Sequence, residues 1–446
     1  MKRIVILGGG ESGAGAAVLA HVKGMDVFLS DMGHIAPKYK ELLDKYNIAW
    51  EEGHHTEEKI LNADEIIKSP GIPLTAPLIV KAQQAGIPII SEIEYAGRYT
   101  NSKMVCITGS NGKTTTTMLT HHIFTKAGLD TGLAGNVGNS LALQVAVDPH
   151  DYYVIELSSF QLDNMYDFKA DVAVLLNITP DHLDRYDHKM ENYAAAKFRI
   201  MQNMTAADSF IYWQDDPITA AHMEHAQCGA QLMPFTAVEP KGQCAARLQA
   251  GVVTFDAAGK QWSIDRDRLA LKGVHNLYNS MAAGLSATIM GIDPEVIKQA
   301  LADFQAVEHR LEFVRTLDGV NWINDSKATN VNSTWYALDS MTQPVVLILG
   351  GKDKGNDYTE IEQLVKDKVR ALVCMGVDNT KLHAFFDGKV PVVEDARSIQ
   401  ECVDKCHALA SEGITVLLSP CCASFDLFKS YEDRGRQFKQ CVNNLK

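Results

Sequence analysis

The sequence lacks three features that would each indicate a particular class of protein. Its nine cysteines form no Cys-X-X-Cys pair and no array with histidine, and Cys421 and Cys422 are adjacent, which argues against a structural disulfide framework. It has no basic excess, because 42 Lys and Arg stand against 55 Asp and Glu, a formal net charge of -13. It has no apolar run long enough to cross a bilayer. We therefore expect a protein of the reducing cytoplasm that binds neither nucleic acid nor a membrane.

The chain of 446 residues alternates short β-branched apolar runs with helical stretches. This alternation predicts an α/β fold with parallel sheets flanked by helices. Three blocks each restart with a strand and a glycine-rich turn, so we expect domains at 1–99, 100–307 and 308–446. The N-terminal run MKRIVIL is too short for a signal-peptide core and is predicted to be a strand. The segment Asp208–Asp267 has shorter, mixed strands and is predicted to be an irregular excursion.

The first glycine turn, Gly8–Gly13, has the pattern GxGxxG between the predicted strand Arg3–Leu7 and a helix. Asp31 follows at the end of the next strand. Glycines allow a tight turn and a close approach of the backbone, and the helix N-terminus offers N–H groups to a phosphate. Three interpretations stay open: a dinucleotide site, a site for another diphosphate such as a UDP-sugar, and a tight turn without a ligand.

The second glycine turn, Gly109–Thr114, is a compact phosphate-binding loop with the pattern GxxGKT. Backbone N–H groups from Gly109 to Thr114 are expected to surround phosphates, and Lys113 to neutralise their charge. The Thr114 hydroxyl suits Mg²⁺, which prefers oxygen ligands. The predicted strand Met104–Thr108 before the turn and the helix after it supply the required context. The alternative for Lys113 is an ordinary surface lysine.

Other polar residues near the ends of predicted elements allow two interpretations each. Glu156 ends a strand and could bind a metal ion or simply be an exposed strand end. His182 lies in a turn and could be a ligand or a surface residue. Asn136 and Asp181 could orient a substrate or belong to ordinary turns. Lys197 lies in a predicted helix, where a lysine usually faces solvent.

The motif TGSNGKTTT at 108–116 resembles the nucleotide loop of the Mur ligase family and of its folylpolyglutamate synthetase relatives. Similar motifs follow in order along the whole chain: GNVG at Gly135–Gly138, IELSSFQL at Ile155–Leu162, NITPDHLDRY at Asn177–Tyr186, YAAAKFRI at Tyr193–Ile200, GVHNLYN at Gly273–Asn279, EHRLE at Glu308–Glu312, NDSKATN at Asn324–Asn330, LGGKDK at Leu349–Lys354 and SPCCASFDLFKSYEDRG at Ser419–Gly435. NDSKATN, the last motif and the turn Ser69-Pro70-Gly71 resemble the branch of the family that adds D-glutamate.

This resemblance implies a three-domain architecture: a Rossmann-like N-terminal domain, a central domain like the P-loop ATPases and a Rossmann-like C-terminal domain. It implies ATP-dependent ligation of D-glutamate to UDP-N-acetylmuramoyl-L-alanine through an acyl phosphate, by a cytoplasmic monomer with two Mg²⁺ ions. By the same resemblance the first block binds the UDP of the substrate and not NAD.

The resemblance also implies roles for individual residues. The implied ATP-binding residues are Gly109, Ser110, Asn111, Gly112, Lys113, Thr114, Thr115, Asn276, Asn279, His309, Arg310 and Asp325. The implied metal ligands are Thr114, Glu156, His182 and a carbamylated Lys197, and the implied catalytic residues are Lys113, His182, Lys197 and Arg310. The implied contacts to the UDP-substrate are Gly10, Glu11, Ser12, Asp31, Gly71, Asn136 and Asp181. The implied contacts to D-glutamate are Lys327, Thr329, Lys354, Ser424, Phe425 and Tyr431.

Three alternatives to this interpretation can be tested. A related ligase, such as a folylpolyglutamate synthetase, would add another amino acid, and NDSKATN with the C-terminal motif weighs against it. A nicotinamide dehydrogenase built on GxGxxG would leave the phosphate loop, Glu156 and His182 unexplained. A P-loop transporter or motor ATPase finds no repeat or membrane segment to support it.

Overall fold

The computed structural model describes residues 1–226, 228–238, 242–305, 308–353 and 355–446. The chain forms two compact units: unit 1 comprises Met1–Ala270 and Tyr278–Phe304, and unit 2 comprises Leu271–Leu277 and Gln305–Lys446. The predicted glutamate contact Lys354 and the predicted domain boundary at 307 lie outside the described residues. In the part of the chain that is described, no helix is long and apolar enough to span a membrane.

The first sheet of unit 1 follows the chain from the N-terminus. Its strands are β1 (Arg3–Leu7), β2 (Asp26–Asp31), β3 (Ala49–Glu52), β4 (Glu65–Lys68) and β5 (Ile89–Ile90), and its helices are α1 (Glu11–Val22), α2 (Pro37–Lys45), α3 (Glu57–Ile60), α4 (Pro77–Gln84) and α5 (Glu92–Gly97). The strands are parallel in the order β3-β2-β1-β4-β5. Ile4 and Ile6 enter the core on one face, and Val5 and Leu7 enter the core on the other. Burial of both faces explains the continuous apolar run of β1.

The second sheet of unit 1 carries the phosphate loop. Its strands are β6 (Lys103–Thr108), β7 (Thr131–Gly135), β8 (Tyr152–Glu156), β9 (Val172–Leu175), β10 (Ser209–Trp213), β11 (Gln231–Thr236), β12 (Ala246–Gln249), β13 (Val252–Ala257) and β14 (Lys260–Asp265). They pair in the order β14-β13-β12-β11-β10-β9-β6-β8-β7. The associated helices are α6 (Lys113–Lys126), α7 (Leu141–Val147), α8 (Ser159–Leu162), α9 (Met190–Phe198), α10 (Pro217–Met223), α11 (Val274–Ile289) and α12 (Pro294–Asp303), with 3-10 turns at Leu183–Arg185, Arg199–Met201 and Arg266–Arg268.

The prediction of an irregular excursion at Asp208–Asp267 is wrong, because β10 to β14 extend the second sheet. The strands are parallel as far as β12, and β13 and β14 pair antiparallel as a hairpin. The hairpin buries alternate residues, and Phe255 stacks on Trp262 with ring centroids 3.9 Å apart. This single buried face stabilises strands that are short and that alternate in polarity.

The third sheet lies in unit 2. Its strands are β15 (Glu312–Leu317), β16 (Val320–Asn324), β17 (Val345–Leu349), β18 (Val369–Met375), β19 (Val393–Ala396) and β20 (Thr415–Leu418), and its helices are α13 (Val331–Ser340), α14 (Glu362–Lys368), α15 (Thr380–Phe386), α16 (Ile399–Leu409) and α17 (Tyr431–Asn444), with a 3-10 turn at Tyr358–Ile361. The order is β15-β16-β20-β17-β18-β19, parallel except for the pair β15 and β16. The predicted α/β class with parallel sheets is confirmed.

Candidate functional site

The phosphate loop connects β6 to α6 through two glycines in left-handed or otherwise positive-φ conformations. Gly109 has φ 151° and Gly112 has φ 83°, which L side chains rarely adopt. A Cβ at Gly112 would also collide with Oδ1 of Asn279, a buried residue of α11 that accepts a hydrogen bond from the hydroxyl of Thr116 at 3.1 Å. The structure therefore places the predicted ATP ligand Asn279 behind the loop, where it supports the start of α6.

Two backbone N–H groups of the loop donate hydrogen bonds to another residue of the protein. The N–H of Ser110 donates to the backbone oxygen of Asn177 at 2.9 Å, and the N–H of Asn111 donates to Oδ1 of the same residue at 2.8 Å. The Ser110 hydroxyl donates to the carbonyl of Thr179 at 2.9 Å. These two N–H groups thus donate within the protein in this structure, and the expected contact of the loop amides with phosphates stays a prediction. Asn177 and Thr179 were not predicted, although both lie in the motif NITPDHLDRY.

Two lysines share one carbonyl beside this loop. The Nζ of Lys113 donates to the oxygens of Gly109 and Ser110, each at 2.8 Å, and the Nζ of Lys197 donates to the same Gly109 oxygen at 2.7 Å. Lys197 is 1% exposed, so the alternative of a solvent-facing helical lysine is wrong. Burial, and then the charge of Lys113, hold the pKa of Lys197 well below its ordinary value. A neutral amine at Lys197 is the form that this environment favours.

Tyr193 was not predicted as a functional residue, yet it contacts both Ser110 of the phosphate loop and Lys197 of α9. Its hydroxyl lies 3.0 Å from Oγ of Ser110, and the Nζ of Lys197 lies 4.6 Å from its ring centroid. The three side chains are buried. Tyr193 thus fixes the distance between the loop and helix α9. Its position four residues before Lys197, one helical turn away, is the signal that sequence reasoning could have used.

Glu156 ends β8 at the edge of the sheet where the phosphate loop follows β6. The two strands are direct neighbours, with Ile107 paired to Glu156. The side chain is 1% exposed, so the alternative of an exposed strand end is wrong. Its Oε1 accepts a hydrogen bond from Nδ2 of Asn136 at 2.8 Å, while its buried Oε2 has no hydrogen-bond partner among the described residues. An orphaned carboxylate oxygen beside a phosphate loop fits an Mg²⁺ ligand.

His182 lies beyond β9, which borders β6 on its other side. The residue has φ 52° and a half-exposed side chain. Its backbone N–H donates to Oδ1 of Asp181 at 3.0 Å, and its Nε2 lies 3.6 Å from Oδ2 of the same residue. Its ring packs edge-to-face with the ring of Phe160, with centroids 5.3 Å apart. The carboxyl ends of neighbouring parallel strands lie at the same edge of a sheet. The segment with His182 therefore leaves the sheet at the edge where Glu156 and the phosphate loop lie.

The first glycine turn is held by the acidic residues predicted to contact substrate. Oδ2 of Asp31 accepts from the N–H of Gly9 at 2.5 Å. Oε2 of Glu11 accepts from the Tyr39 hydroxyl at 2.8 Å, and its Oε1 lies 3.4 Å from the N–H of Ser140. Both carboxylates therefore fix local geometry in this structure. Their contacts to a ligand stay predictions.

The remaining candidates of the first block differ in exposure. The position of a Cβ at Gly10 is open, with no atom within 4 Å. Ser12 is half-buried, and Gly71 is exposed with its carbonyl 3.4 Å from Nη1 of Arg185. Space at Gly10 and exposure at Gly71 are compatible with ligand contacts.

In unit 2, a buried arginine connects the two motifs assigned to D-glutamate. Arg434 is 0% exposed, and its guanidinium donates to Oγ of Ser326 at 3.0 Å, to the carbonyl of Ser326 at 2.8 Å and to the carbonyl of Cys422 at 3.2 Å. Burial lowers the pKa of Arg434 to about 10. NDSKATN and the C-terminal motif are thereby held in one place. Sequence reasoning did not single out this residue.

Five of the six residues predicted to receive D-glutamate lie on these two motifs, and the sixth, Lys354, lies in LGGKDK outside the described residues. The Nζ of Lys327 lies 3.7 Å from the ring centroid of Tyr431, so the structure brings these two together. Ser424 is buried, Thr329 is half-buried and Phe425 is 69% exposed. The shared role of Thr329, Ser424 and Phe425 stays a prediction.

Asp325 and His309 form the buried part of the predicted ATP contacts in unit 2. Oδ2 of Asp325 accepts from the Ser419 hydroxyl at 2.9 Å, and burial raises the pKa of Asp325 to about 7. Nδ1 of His309 lies 2.9 Å from Nδ2 of Asn324, and burial lowers its pKa. Arg310 follows His309 directly and is half-buried. Asn276 donates from Nδ2 to the carbonyl of Lys272 at 2.8 Å, as a residue of the first turn of α11.

A glycine-rich loop that carries a lysine between a parallel strand and a helix, with a buried carboxylate on the adjacent strand, defines a P-loop nucleotide-binding protein of the α/β class. Comparison with known proteins is more specific. The sequence matches "Mur ligase MurD-like, N-terminal domain" at 2–91, "Mur ligase middle domain" at 107–287 and "Mur ligase, glutamate ligase domain" at 309–422. The chain belongs to the Mur ligase family, which confirms the predicted resemblance.

Relatives extend over the full length of the chain. The UDP-N-acetylmuramoylalanine--D-glutamate ligases of Bacteroides fragilis and Bacteroides thetaiotaomicron are each 63% identical, with 100% of both chains covered. That of Porphyromonas gingivalis is 59% identical, with 99% of this chain and 98% of the relative covered. The dehydrogenase and the transporter or motor alternatives are therefore wrong.

Solved structures agree with the fold. A pseudomurein peptide ligase type C from Methanothermus fervidus aligns with a TM-score of 0.63 at 19% identity, and a UDP-N-acetylmuramate-alanine ligase from Thermotoga maritima with 0.63 at 18%, each over 100% of both chains. A folylpolyglutamate synthase from Mycobacterium tuberculosis aligns with 0.59 at 15% over 79% of this chain and 93% of that structure. These likenesses confirm the predicted three-domain α/β fold.

Proposed function

We propose that this chain joins D-glutamate to UDP-N-acetylmuramoyl-L-alanine with ATP, releasing ADP and phosphate, in peptidoglycan precursor synthesis. The printed name of the full-length relatives supports the two substrates, and family membership supports ATP-dependent ligation. The observation in the fold that carries the ATP chemistry is the orphaned Oε2 of Glu156 on the strand next to the phosphate loop. A buried acceptor in that place needs a cation, and an ATP–metal complex supplies one.

The chemistry of amide formation explains why a phosphate loop is needed. A carboxylate does not react with an amine in water, since hydroxide is too poor a leaving group. An oxygen of the alanine carboxylate attacks the γ-phosphorus of ATP, ADP leaves, and an acyl phosphate forms. The neutral amine of D-glutamate then attacks the acyl carbon, a tetrahedral intermediate collapses, and phosphate leaves as the amine proton is lost to solvent or a base. The protein's part is positioning and charge neutralisation.

The residues around the loop suit that part. Thr114 and Glu156 are the oxygen ligands, and His182 the nitrogen ligand, that would hold two Mg²⁺ ions at this edge of the sheet. When bound, Mg²⁺ withdraws charge from the phosphoryl oxygens. Lys113 lies at the first residue of α6 and would leave the carbonyls of Gly109 and Ser110 for the phosphates. Arg310 is proposed to neutralise the γ-phosphate.

Lys197 is proposed to carry a carbamate. Its amine is buried and favours the neutral state, which is the nucleophile that adds to CO₂ with release of one proton. The product is an anionic oxygen ligand, and it would replace the repulsion between two lysine head groups at Gly109 by an attraction to Lys113. The same buried volume that opposes an ammonium ion thus accepts a carbamate paired with Lys113 and a metal ion.

The other predicted residues complete the proposal. The segment 1–99 binds the UDP-substrate through Gly10, Glu11, Ser12, Asp31 and Gly71, with Asn136 and Asp181 of the segment 100–307. The segment 308–446 binds D-glutamate through Lys327, Thr329, Lys354, Ser424, Phe425 and Tyr431. The protein acts as a cytoplasmic monomer.

The test is a phosphate-release assay on the purified full-length chain. We expect phosphate release with ATP, Mg²⁺, UDP-N-acetylmuramoyl-L-alanine and D-glutamate. Omission of either UDP-N-acetylmuramoyl-L-alanine or D-glutamate is expected to abolish it. A panel with L-glutamate, L-alanine and L-lysine separates this ligase from relatives that add another amino acid. Phosphate release that needs neither substrate, or an equal rate with another amino acid, refutes the proposal.

A further inference from the structure

A cluster of three possible metal ligands lies in unit 2, on elements that the proposed reaction does not use. Cys374 on β18 and Asp395 on β19 are direct partners in the register of these two parallel strands. His383 of α15 packs above them, with its Nε2 3.1 Å from Oδ1 of Asp395. The sulfur, the imidazole nitrogen and the carboxylate oxygen all lie within 4.8 Å of one another. Ligand atoms around one tetrahedral Zn²⁺ lie about 3–4 Å apart, so small side-chain movements would close this set.

Neighbouring side chains orient these ligands as they do in zinc sites. Nδ1 of His383 lies 3.0 Å from Oδ1 of Asp387, a carboxylate that would hold the ring with Nε2 toward the metal. Nδ2 of Asn379 donates to Oδ1 of Asp395 at 2.7 Å and to the carbonyl of Cys374 at 2.9 Å. Asn379 is itself buried, and its Oδ1 has no hydrogen-bond partner among the described residues. The environment therefore fixes the carboxylate of Asp395 and the strand that carries Cys374.

We propose that Cys374, His383 and Asp395 bind a thiophilic divalent cation of the Zn²⁺ class, separate from the Mg²⁺ of the nucleotide. A thiolate with an imidazole selects Zn²⁺ over Mg²⁺, which prefers oxygen ligands. On binding, the thiol releases its Sγ proton to solvent, the imidazole binds through Nε2 as a neutral ring whose proton stays on Nδ1 beside Asp387, and the fourth position is left to water. The cysteine is fully buried while His383 and Asp395 reach the surface, so the cation can enter from solvent.

The second cluster of this kind in the described residues does not support such a site. Glu308, His309 and Glu312 also lie close together, but the Nζ of Lys439 is within hydrogen-bond distance of both carboxylates. A cation there would have to displace an ammonium ion. Around Cys374, by contrast, the side chain of His383 contacts the carboxylates of Asp387 and Asp395, and the ammonium of Lys405 donates to the backbone oxygen of Asp395 and not to its carboxylate.

Cobalt is the probe for this proposal, because Co²⁺ bound by a thiolate has a sulfur-to-metal charge-transfer band in the near ultraviolet. Titration of the full-length protein with Co²⁺ in the presence of excess Mg²⁺ is expected to give this band with a stoichiometry of one, and Zn²⁺ is expected to displace it. The variants Cys374→Ser and His383→Ala are expected to lose the band. Cys228→Ser, which removes a half-exposed thiol elsewhere, is the matched control and should retain it.

Circular dichroism checks that each variant is folded. If the buried substitution Cys374→Ser prevents folding, the partly exposed positions decide through His383→Ala and Asp395→Asn. A wild-type protein without the thiolate band refutes the proposal, and so does a band that persists in His383→Ala or that disappears in Cys228→Ser. In those cases His383 and Asp395 form only an ion pair beside the buried Cys374.

Discussion

Two lysine side chains meet at a single backbone oxygen, that of Gly109. This contact bears on which of the two amines carries a charge. Lys113 and Lys197 both donate to this oxygen, at 2.8 Å and 2.7 Å. Two ammonium ions at one carbonyl repel each other strongly in a buried place. The arrangement is therefore suited to one charged and one neutral amine, and burial, which lowers the pKa of Lys197, favours the neutral form at that residue.

The variant Lys113→Ala tests the role of the charged partner. Loss of a cation that stabilises developing phosphoryl charge is expected to lower turnover by about 10²–10³-fold. Phosphate release with both substrates measures it. Lys126→Ala, at the other end of α6, is the control and should keep the wild-type rate. Ligation by Lys113→Ala at the wild-type rate would contradict both the role of the loop and the proposed function.

Carbamylation of Lys197 is tested separately from turnover. Protein equilibrated with ¹³C-bicarbonate is expected to show one carbamate carbon signal in its NMR spectrum, and Lys197→Arg is expected to lack it, because a guanidinium does not add CO₂ at neutral pH. Lys169→Arg, an exposed lysine paired with Asp208, should leave the signal unchanged. A wild-type spectrum without a carbamate signal shows that Lys197 acts as an unmodified amine.

The sequence indicates which residues are candidates for the site better than it predicts the hydrogen bonds that those residues make. Glu156, Lys113 and His182 follow from motif and strand context. That Asn177 engages two loop amides, or that Arg434 joins two motifs, does not follow, because these contacts link residues 66 and 108 positions apart. Asp31 and Glu11 show the same difficulty: the resemblance implied contacts to the UDP-substrate, while their hydrogen bonds to Gly9 and Tyr39 depend on neighbouring elements.

At the scale of elements, the junction between the phosphate loop and α6 depends on a glycine. In Gly112→Ala the residue must hold φ 83° and its Cβ must avoid Oδ1 of Asn279. Gly128→Ala at the other end of α6 is a matched control, since its φ is 76° and nothing lies near its Cβ position. The control is expected to lose about 1 kcal/mol from the conformation alone, and Gly112→Ala at least about 1 kcal/mol more. Equal losses in urea unfolding would show that the contact with Asn279 relaxes freely.

Helix α17 in unit 2 depends in a similar way on one buried side chain. Arg434→Lys keeps the charge but cannot bridge Ser326 and the carbonyl of Cys422 together, because an ammonium lacks the planar fork of a guanidinium. We expect a loss of about 2 kcal/mol in unfolding free energy and a raised KM for D-glutamate. Arg436→Lys, on the exposed face of the same helix, should change neither. An Arg434→Lys protein with wild-type stability and KM would contradict the linkage of the two motifs.

Strands with buried sides were predicted closely and strands with an exposed face were not. The expected strand Arg3–Leu7 has the observed bounds and the expected strand Met104–Thr108 differs by one residue, because both are short apolar runs that end at glycine turns. β12 to β14 were mistaken for an irregular segment, since their alternating polarity gives little signal until α11 and the hairpin cover one face. The covering residues come from a distant part of the chain, which a local pattern does not contain.

At the scale of the whole molecule, the motifs in order along the chain predicted the family and the α/β class, and the comparisons confirmed both. Motif order is informative because each match is weak by itself and all of them agree. Properties that depend on burial were not accessible. Two carboxyls, Glu92 in unit 1 and Asp325 in unit 2, are buried, and burial raises the pKa of each to about 7.

These two carboxyls predict how the stability of the molecule depends on pH. Each folded-state pKa lies above the unfolded value near 4, so the folded chain keeps its protons while the unfolded chain releases them. The stabilisation is complete below that unfolded value, and it is lost as the pH rises through 7. For Glu92 the loss between pH 5 and pH 8 is on the order of 2–3 kcal/mol.

The variant Glu92→Gln isolates this contribution. Its amide has no proton to lose, while its oxygen can still accept from the Ser140 hydroxyl and the N–H of Ala142, as Glu92 does at 2.7 Å and 2.6 Å. The urea midpoint of the variant is therefore expected to fall less between pH 5 and pH 8 than that of the wild type. Glu58→Gln, at an exposed position, should follow the wild type. If Glu92→Gln follows the wild type as well, Glu92 is ionised in the folded protein throughout this range, and its hydrogen bonds at the start of α7 outweigh the cost of burying its charge.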